Sequence, residues 1–222
     1  MRLLVTRPEP GASATTAKLA AMGHEAVSLP CLTITPLALR LPAIPAALII
    51  TSGQAVPALP ASLHNIPVFA VGDTTADKLR MAGFTRVESA QGDAEALARL
   101  VISRNVKGLH VLAVGTRHGL KLASDLHKAG INVLRRRVYS VRRLPQLPAE
   151  VSAALAENYF DGALFYSAET ARAFTRLKPP GTARLHAYVL SQNVEKGLQD
   201  VPWLAIHSAK APTEADLMAL LA

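Results

Sequence analysis

Residues 68–83 read VFAVGDTTADKLRMAG, and this stretch indicates the fold better than any other part of the chain. Four apolar residues, Val68–Val71, are followed by a polar turn and by a helical pattern over Thr74–Ala82 that stops at Gly83. A continuous apolar run is typical of a strand covered on both faces, and a glycine often follows the last residue of a helix. The stretch therefore predicts one strand–helix unit of an α/β sheet.

The same alternation extends along the whole chain. Ten apolar segments predict strands: Arg2–Thr6, Ala26–Leu29, Ala47–Thr51, Val68–Val71, Arg86–Ser89, Val111–Val114, Asn132–Val138, Ala163–Tyr166, Ala187–Leu190 and Leu204–His207. Four segments predict helices: Ala12–Met22, Thr74–Ala82, Ala94–Asn105 and Leu120–Ala129. Asp73 and Asp93 are the expected N-caps of the second and third helices. The fold class is therefore α/β, with two five-stranded, mainly parallel sheets rather than one large sheet.

Two proline-containing segments, residues 30–45 and 139–148, interrupt the alternation. Their prolines predict extended connections rather than helices or strands. If the chain passes between two domains at both segments, each domain receives five strands. The first domain is then discontinuous, with residues 1–35 and 143–222, and the second domain comprises residues 36–142.

An internal repeat supports this division. IITSGQ at 49–54 resembles LFYSAE at 164–169, and FAVGDTTADKL at 69–79 parallels YVLSQNVEKGL at 188–198. VESA at 87–90 likewise parallels IHSA at 206–209. Three strand–helix units in the same order indicate a duplicated α/β domain. Two similar lobes joined by a two-segment extended linker would enclose a cleft, which is a common place for a ligand.

Composition excludes several classes of protein. The chain has 222 residues, half of them apolar, so it is not of the disordered class. Its single cysteine, Cys31, excludes an intramolecular disulfide and a cysteine-based zinc site. The sequence has no signal peptide pattern and no apolar run of the ~20 residues that span a membrane. We expect a soluble, cytoplasmic monomer.

The net charge of +8 has two interpretations, an anionic partner or ordinary solubility charge. An anionic partner is favoured by polar residues that follow strands, among them Thr51, Ser52 and Ser167. The carboxyl ends of parallel strands meet at one edge, where hydroxyl and N–H groups bind anions. Serine and threonine are also common N-caps, so at each single position a structural role is the alternative. Repetition in both lobes favours binding.

Conventional catalytic and cofactor motifs are missing from the sequence. The turn GTRHGL at 115–120 lacks the ending of a P-loop, and no Gly-x-Gly-x-x-Gly follows a strand. The seven histidines lack metal-ligand spacing, and Ser52 is not in a Gly-x-Ser-x-Gly elbow. We expect no nucleotide, no metal and no covalent acyl intermediate.

Tyr139 is the residue whose chemistry stands out. It follows Arg135–Arg137 and Val138 at the start of the second linker segment. A tyrosine with a pKa of ~10 is protonated at neutral pH and can donate a proton to a leaving oxygen. A packing residue with a solvated hydroxyl is the alternative interpretation.

Taken together, these motifs resemble those of the uroporphyrinogen-III synthase family, along essentially the whole chain. The residues that carry the resemblance are VTRP at 5–8, TS at 51–52 with AV at 55–56, VGDTTA at 71–76, Gly130 before a strand that ends Val138-Tyr139, and the serine turn at Ser167. The resemblance implies two α/β lobes joined by a two-stranded ladder, with the active site between them. It also implies the reaction. Hydroxymethylbilane, a linear tetrapyrrole with eight carboxylates, loses water, inverts its last ring and closes to uroporphyrinogen III, without a metal or organic cofactor.

The resemblance also implies site residues. Tyr139 matches the tyrosine proposed as the acid in this family. The expected substrate-binding residues are Arg7, Thr51, Ser52, Thr75, Arg117, Ser167, Ser191, Gln192 and Asn193. Three turns depart from the family's usual pattern: SQNVE stands at 191–195 in place of Gly-x-Thr-Thr-Ala, and Tyr166-Ser167 in place of Thr-Ser. Val114-Gly115 and Gly119 stand in place of an Arg-Gly turn with an arginine four residues after the glycine, where Arg117 and Lys121 are the candidates to substitute.

Two other functions remain open at this point. The departures are compatible with a non-catalytic, two-lobed binder of an anionic small molecule. A basic nucleic-acid binder would use the arginines of 135–143, but the chain has no helix-turn-helix, RNP or zinc-finger pattern. The expected partners are therefore the small-molecule substrate and, transiently, the preceding enzyme of the pathway, with no nucleic acid and no membrane.

Overall fold

The computed structural model describes residues 1–115 and 119–221. The chain divides into two compact units. Met1–Thr33 and Arg142–Ala222 form what we call the first unit, and Ile34–Val141 forms the second unit.

Short strands and helices alternate through both units. The strands are β1 (Arg2–Val5), β2 (Glu25–Ser28), β3 (Leu32–Pro36), β4 (Ala47–Ile50), β5 (Val68–Ala70), β6 (Val87–Ser89), β7 (His110–Val114), β8 (Val133–Arg137), β9 (Tyr139–Arg143), β10 (Gly162–Phe165), β11 (His186–Val189) and β12 (Ala205–Ser208). The helices are α1 (Gly11–Ala21), α2 (Asp73–Met81), α3 (Ala94–Arg104), α4 (Leu120–Lys128), α5 (Ala149–Ala156), α6 (Ala168–Thr175), α7 (Gln192–Glu195) and α8 (Glu214–Ala219). Three 3₁₀ turns lie at Gly53–Ala58, Ala61–Leu63 and Thr182–Arg184.

Each unit has one five-stranded parallel sheet. The strand order is β12-β11-β10-β1-β2 in the first unit and β6-β5-β4-β7-β8 in the second. The predicted fold class is confirmed, and the ten predicted strands are present with ends that differ by no more than one residue. All four residues of β4 and of β10 are buried, because helices cover both faces of each sheet.

The prediction that residues 30–45 and 139–148 contain no regular elements was wrong. β3 and β9 lie in these segments and pair as a two-stranded sheet. Proline lacks an N–H and is tolerated at the end of a strand, where no ladder bond is lost. Pro30 precedes β3, Pro36 is its last residue, and Pro145 follows β9. The junctions between the two units fall within these paired strands.

One of the two predicted helix caps is correct. The Asp93 carboxylate accepts the N–H groups of Glu95 and Ala96, both at 2.9 Å, and these bonds lower the pKa of Asp93. The prediction for Asp73 was wrong, because Gly72 is the N-cap and Asp73 is the first helical residue of α2. An acidic side chain is favourable in either position, since it faces the positive end of the helix dipole.

The parallel register gathers the loops that follow the strands. In the first unit, the segments after β1, β10, β11 and β12 leave the sheet at one side, which we call the first carboxyl edge. In the second unit, those after β4, β5, β6, β7 and β8 define the second carboxyl edge. Ligands of open α/β sheets bind outside this edge.

Burial makes Cys31 unreactive in the folded protein. The side chain is fully buried, and burial raises the pKa of its thiol to about 12. Because only the thiolate is nucleophilic, we expect iodoacetamide at pH 8 to label the native protein at least ~100 times more slowly than the protein in 8 M urea. Mass spectrometry of timed samples measures both rates, and fast stoichiometric labelling of the native protein would contradict the burial.

Candidate functional site

Arg7 follows β1 at the first carboxyl edge and contacts three side chains, those of Thr15, Glu214 and Tyr166. Its Nη1 donates to Thr15 Oγ1 at 3.1 Å and to Glu214 Oε1 at 3.0 Å. Its guanidinium carbon lies 3.8 Å from the centroid of the Tyr166 ring, a cation–π contact. The Tyr166 hydroxyl donates to Glu214 Oε1 at 3.2 Å, and Lys18 Nζ donates to Glu214 Oε2 at 2.6 Å. We call these five residues the Arg7 cluster.

The Arg7 cluster changes what is expected of Arg7. Glu214 opposes the charge of both Arg7 and Lys18, so the arginine does not present an unopposed cation. Its side chain also lies across the start of α1, where a Cβ on Gly11 would stand 2.5 Å from Arg7 Nε. These contacts tie β1 to α1 and α8. A substrate-binding role for Arg7 stays a prediction.

Glu214 makes the stability of the first unit depend on pH. The hydrogen bond from Lys18 is the main cause that lowers the pKa of Glu214 below its ordinary value of 4.5. A lowered pKa contributes stability at pH values above 4.5, and this contribution is lost as the pH falls through the folded-state pKa. Because the side chain is 37% exposed, solvent screening limits the contribution to about 1 kcal/mol.

We therefore expect Glu214→Gln to lower the free energy of unfolding by about 1 kcal/mol at pH 6.5 and by much less at pH 3. Urea unfolding at both pH values measures this difference. Glu157→Gln is the control, since Glu157 is exposed and makes no ion pair with any residue in the described ranges. An equal loss at both pH values would contradict the ionic role of Glu214.

A cavity of about 470 Å³ opens at the first carboxyl edge, after β11 and β12. It is lined by Ser191, Gln192, Asn193, Ser208, Lys210 and two small residues, Ala209 and Pro212. The structure thus brings together three of the predicted substrate-binding residues. Its size lies within the range of ~300–1,000 Å³ that is usual for small-molecule sites.

Ser208 and Lys210 were not among the residues predicted from the sequence. The third repeat pair, 87–90 and 206–209, includes Ser208 and was a usable signal for this turn. Lys210 had no such signal, because the equivalent position of the repeat holds Gln91.

Ser52 and Ser167 act as N-caps, the structural alternative for both. The Ser52 hydroxyl accepts the N–H of Gln54 at 3.3 Å. The Ser167 hydroxyl accepts the N–H of Thr170 at 3.1 Å and bonds to its hydroxyl at 2.8 Å. A serine that accepts an N–H through a lone pair can still donate its O–H to a carboxylate. A substrate-binding role stays a prediction for both residues.

The turn after β4 lies at the second carboxyl edge and is covered by a lysine. Thr51 and Ser52 are half-buried in this turn. A Cβ on Gly53 would stand 2.6 Å from Lys78 Cδ and 3.4 Å from its Nζ, so the Lys78 side chain lies against the turn. Thr75, in the first turn of α2, is buried at 8% exposure. Lys78 was not among the predicted site residues. Its position one helical turn after Thr75 was the signal that could have indicated it.

Tyr139 is buried in the core of the second unit at 4% exposure. Its ring lies against Gly115, the residue after β7, where a Cβ would stand 2.7 Å from Tyr139 Cε2 and 3.0 Å from its hydroxyl oxygen. Arg135 donates to the carbonyl of Gly115 at 3.2 Å. The phenol is therefore placed at the second carboxyl edge. Arg117, predicted nearby in the chain, lies outside the described residues.

The excess positive charge is concentrated in one unit. The second unit contains 13 of the 24 lysines and arginines but 6 of the 16 acidic residues, a net charge of +7. The first unit has a net charge of +1. The second unit therefore has the stronger attraction for a polyanion.

Within 1–115 and 119–221, no group of three or more His, Cys, Asp or Glu residues is arranged to hold a metal ion. No helix in these ranges has the length and apolar character needed to cross a membrane.

The family model described as uroporphyrinogen-III synthase HemD matches residues 13–219. The chain belongs to the uroporphyrinogen-III synthase family. Members of this family are cyclising lyases of tetrapyrrole biosynthesis, and this chain is an enzyme of that class. The resemblance stated from the sequence is confirmed. None of the curated proteins matches the sequence.

Two solved structures show the same fold as this uroporphyrinogen-III synthase family member. Uroporphyrinogen-III synthetase from Helicobacter pylori is 20% identical with a TM-score of 0.66, and the match covers 100% of this chain and 98% of the other. A mutant uroporphyrinogen III synthase from the extremely thermophilic bacterium Thermus thermophilus is 16% identical with a TM-score of 0.59, with 100% and 97% covered. The fold is therefore shared along the full length.

Proposed function

We propose that this chain converts hydroxymethylbilane into uroporphyrinogen III with loss of water, inversion of ring D and closure of the macrocycle. The observation that carries the proposal is the family match over residues 13–219. No observation favours the non-catalytic binder of an anionic small molecule.

The first chemical step places a modest demand on the protein. When the hydroxyl leaves the hydroxymethyl carbon, the electron-rich pyrrole stabilises the cation that forms, so neither a strong nucleophile nor a cofactor is required. The protein needs a weak acid at the departing oxygen and a site that holds the chain in a reactive shape. In the proposal, the Tyr139 hydroxyl donates its proton to that oxygen, which leaves as water. Burial of Tyr139 supports this role, because little bulk water competes for the proton.

Binding of the substrate carboxylates is divided between the two units. In the second unit, Thr51, Ser52 and Thr75 offer hydroxyl groups, and the net charge of +7 attracts the polyanion. In the first unit, the proposed contacts are Ser167, Ser191, Gln192 and Asn193, and the last three line one cavity. Arg7 contributes through the part of its guanidinium that Glu214 does not engage. Arg117 belongs to the proposal on sequence grounds.

The proposed activity is tested by mixing the purified protein with freshly made hydroxymethylbilane, oxidising the products and separating the uroporphyrin isomers by chromatography. Spontaneous closure gives the type I isomer, so formation of the type III isomer shows that the protein catalyses the reaction. A heat-denatured sample is the control. Type I alone at the uncatalysed rate would overturn the proposal.

The finer biological setting belongs to the same proposal: a cytoplasmic monomer that transiently contacts the enzyme supplying hydroxymethylbilane. Light scattering tests the monomeric state, for which the expected mass is 23.5 kDa.

A further inference from the structure

The cavity at the first carboxyl edge contains one cation, Lys210. Three other cations of the first unit have acidic partners. Arg7 and Lys18 are both paired with Glu214, and Arg143 lies 3.8 Å from Glu169. Within the described part of the first unit, Lys210 forms no ion pair. Its charge is therefore available for an anion that enters the cavity.

The remaining lining suits a carboxylate. Ser191 is the N-cap of α7, but its hydroxyl makes no capping bond and can donate to a ligand. Gln192 and Asn193 add side-chain amides. Glu195 is the nearby acidic residue, and its carboxylate accepts the Ser208 hydroxyl at 2.9 Å. The cavity thus presents neutral donors together with one ammonium group.

The volume of the cavity indicates the size of the ligand that it can hold. About 470 Å³ is far more than a lone carboxylate fills and is large enough in volume for one pyrrole ring with its acidic side chains. The lysine ammonium is a point charge on a flexible side chain. It can therefore pair with a carboxylate of the ring in several positions, without the bidentate geometry of an arginine.

We propose that Lys210 is a specificity-determining residue that binds a carboxylate of one pyrrole ring of the linear tetrapyrrole in this cavity. The inference rests on the proposed function and deepens it, because it identifies a cation of the first unit that binds a substrate carboxylate. Lys210 was not among the site residues predicted from the sequence. Lys210 acts on binding, and proton transfer at the hydroxymethyl carbon takes place without it.

The experiment compares Lys210→Gln, Lys210→Arg and the wild type by initial rates over a range of hydroxymethylbilane concentrations. Lys107→Gln is the matched control, because Lys107 is also exposed but precedes β7, at the opposite edge of the other sheet. We expect Lys210→Gln to raise KM about fivefold with kcat within twofold of the wild type. Lys210→Arg keeps the charge and should stay within about twofold in both constants.

Salt separates a charge effect from a change in shape. The KM ratio of Lys210→Gln to wild type should fall towards one between 0.02 and 0.5 M NaCl, because salt screens an exposed ion pair. A KM for Lys210→Gln equal to that of Lys107→Gln, or a loss confined to kcat, would overturn the role of Lys210. If the wild type itself yields only type I product, the proposed function fails. Type III product with unchanged KM in Lys210→Gln overturns only this inference.

Discussion

Tyr139→Phe is expected to lower kcat at least about 100-fold while KM stays within about twofold of the wild type. The substitution removes one oxygen and keeps the ring, which is packed in the core of the second unit. If the phenol supplies the proton to the departing hydroxyl, its loss removes an interaction made only in the transition state, which lowers kcat and kcat/KM equally. Steady-state rates of type III formation measure both constants.

Tyr159→Phe is the matched control for this substitution. The Tyr159 hydroxyl donates to Glu25 Oε1 at 2.6 Å, and this variant, like Tyr139→Phe, loses one tyrosine hydroxyl and keeps the ring. Tyr159 follows α5 and precedes β10, away from both carboxyl edges, and its loss should leave kcat unchanged. A kcat of Tyr139→Phe equal to that of Tyr159→Phe would remove Tyr139 from the mechanism.

Gly115→Ala tests the position of the phenol without changing its chemistry. The added Cβ would stand 2.7 Å from Tyr139 Cε2 and must displace the ring. We expect kcat to fall in Gly115→Ala and to fall no further in the double variant with Tyr139→Phe, because both changes act through one group.

Gly181→Ala is expected to lower the free energy of unfolding by about 3 kcal/mol or more, the largest stability effect that we predict for a single methyl group. Gly181 has φ of +73°, and a Cβ there would stand 2.1 Å from the backbone carbonyl oxygen of Leu155, in α5. A backbone atom cannot rotate away as the end of a side chain can. Relief of the clash therefore requires α5 to separate from the turn at Thr182–Arg184.

Gly130→Ala separates the clash from the backbone conformation. Gly130 has φ of +79°, close to that of Gly181, but nothing lies within 4 Å of a Cβ there. The free energy of unfolding of Gly130→Ala should fall only by the ~1–2 kcal/mol that a side chain costs a residue in the left-handed conformation. Urea unfolding followed by circular dichroism measures both variants, and equal losses would contradict the close approach of Leu155 to Gly181.

The strands could be predicted because their signal is local. β4 and β10 are continuous apolar runs, and the fold buries every residue of both. The residue pattern missed β3 and β9, because these partners are far apart in the chain and prolines flank them, and only the family resemblance implied a two-stranded ladder. Whether a strand forms there depends on pairing, which no local pattern encodes.

The residues of the candidate site also differ in whether a local sequence pattern could predict them. The repeat identified the turn at Ser191–Asn193 because the same unit occurs at 72–74 in the second unit. The Arg7 cluster was beyond sequence analysis, since its central ion pair joins residues 207 positions apart. Ser52 and Ser167 show a further limit. Capping and ligand binding use the same residue type at the same place, so sequence cannot separate the two roles.

The fraction of type III isomer, measured as the protein concentration is raised at fixed hydroxymethylbilane, decides whether this chain is a synthase. Spontaneous closure of the substrate to type I proceeds at a constant rate, so the share of substrate that a synthase closes to type III must increase with the enzyme added until it saturates. We expect the fraction to rise to nearly complete type III product. A fraction that stays at zero, from a sample whose circular dichroism shows the folded α/β protein, would contradict the proposed activity and favour the non-catalytic binder.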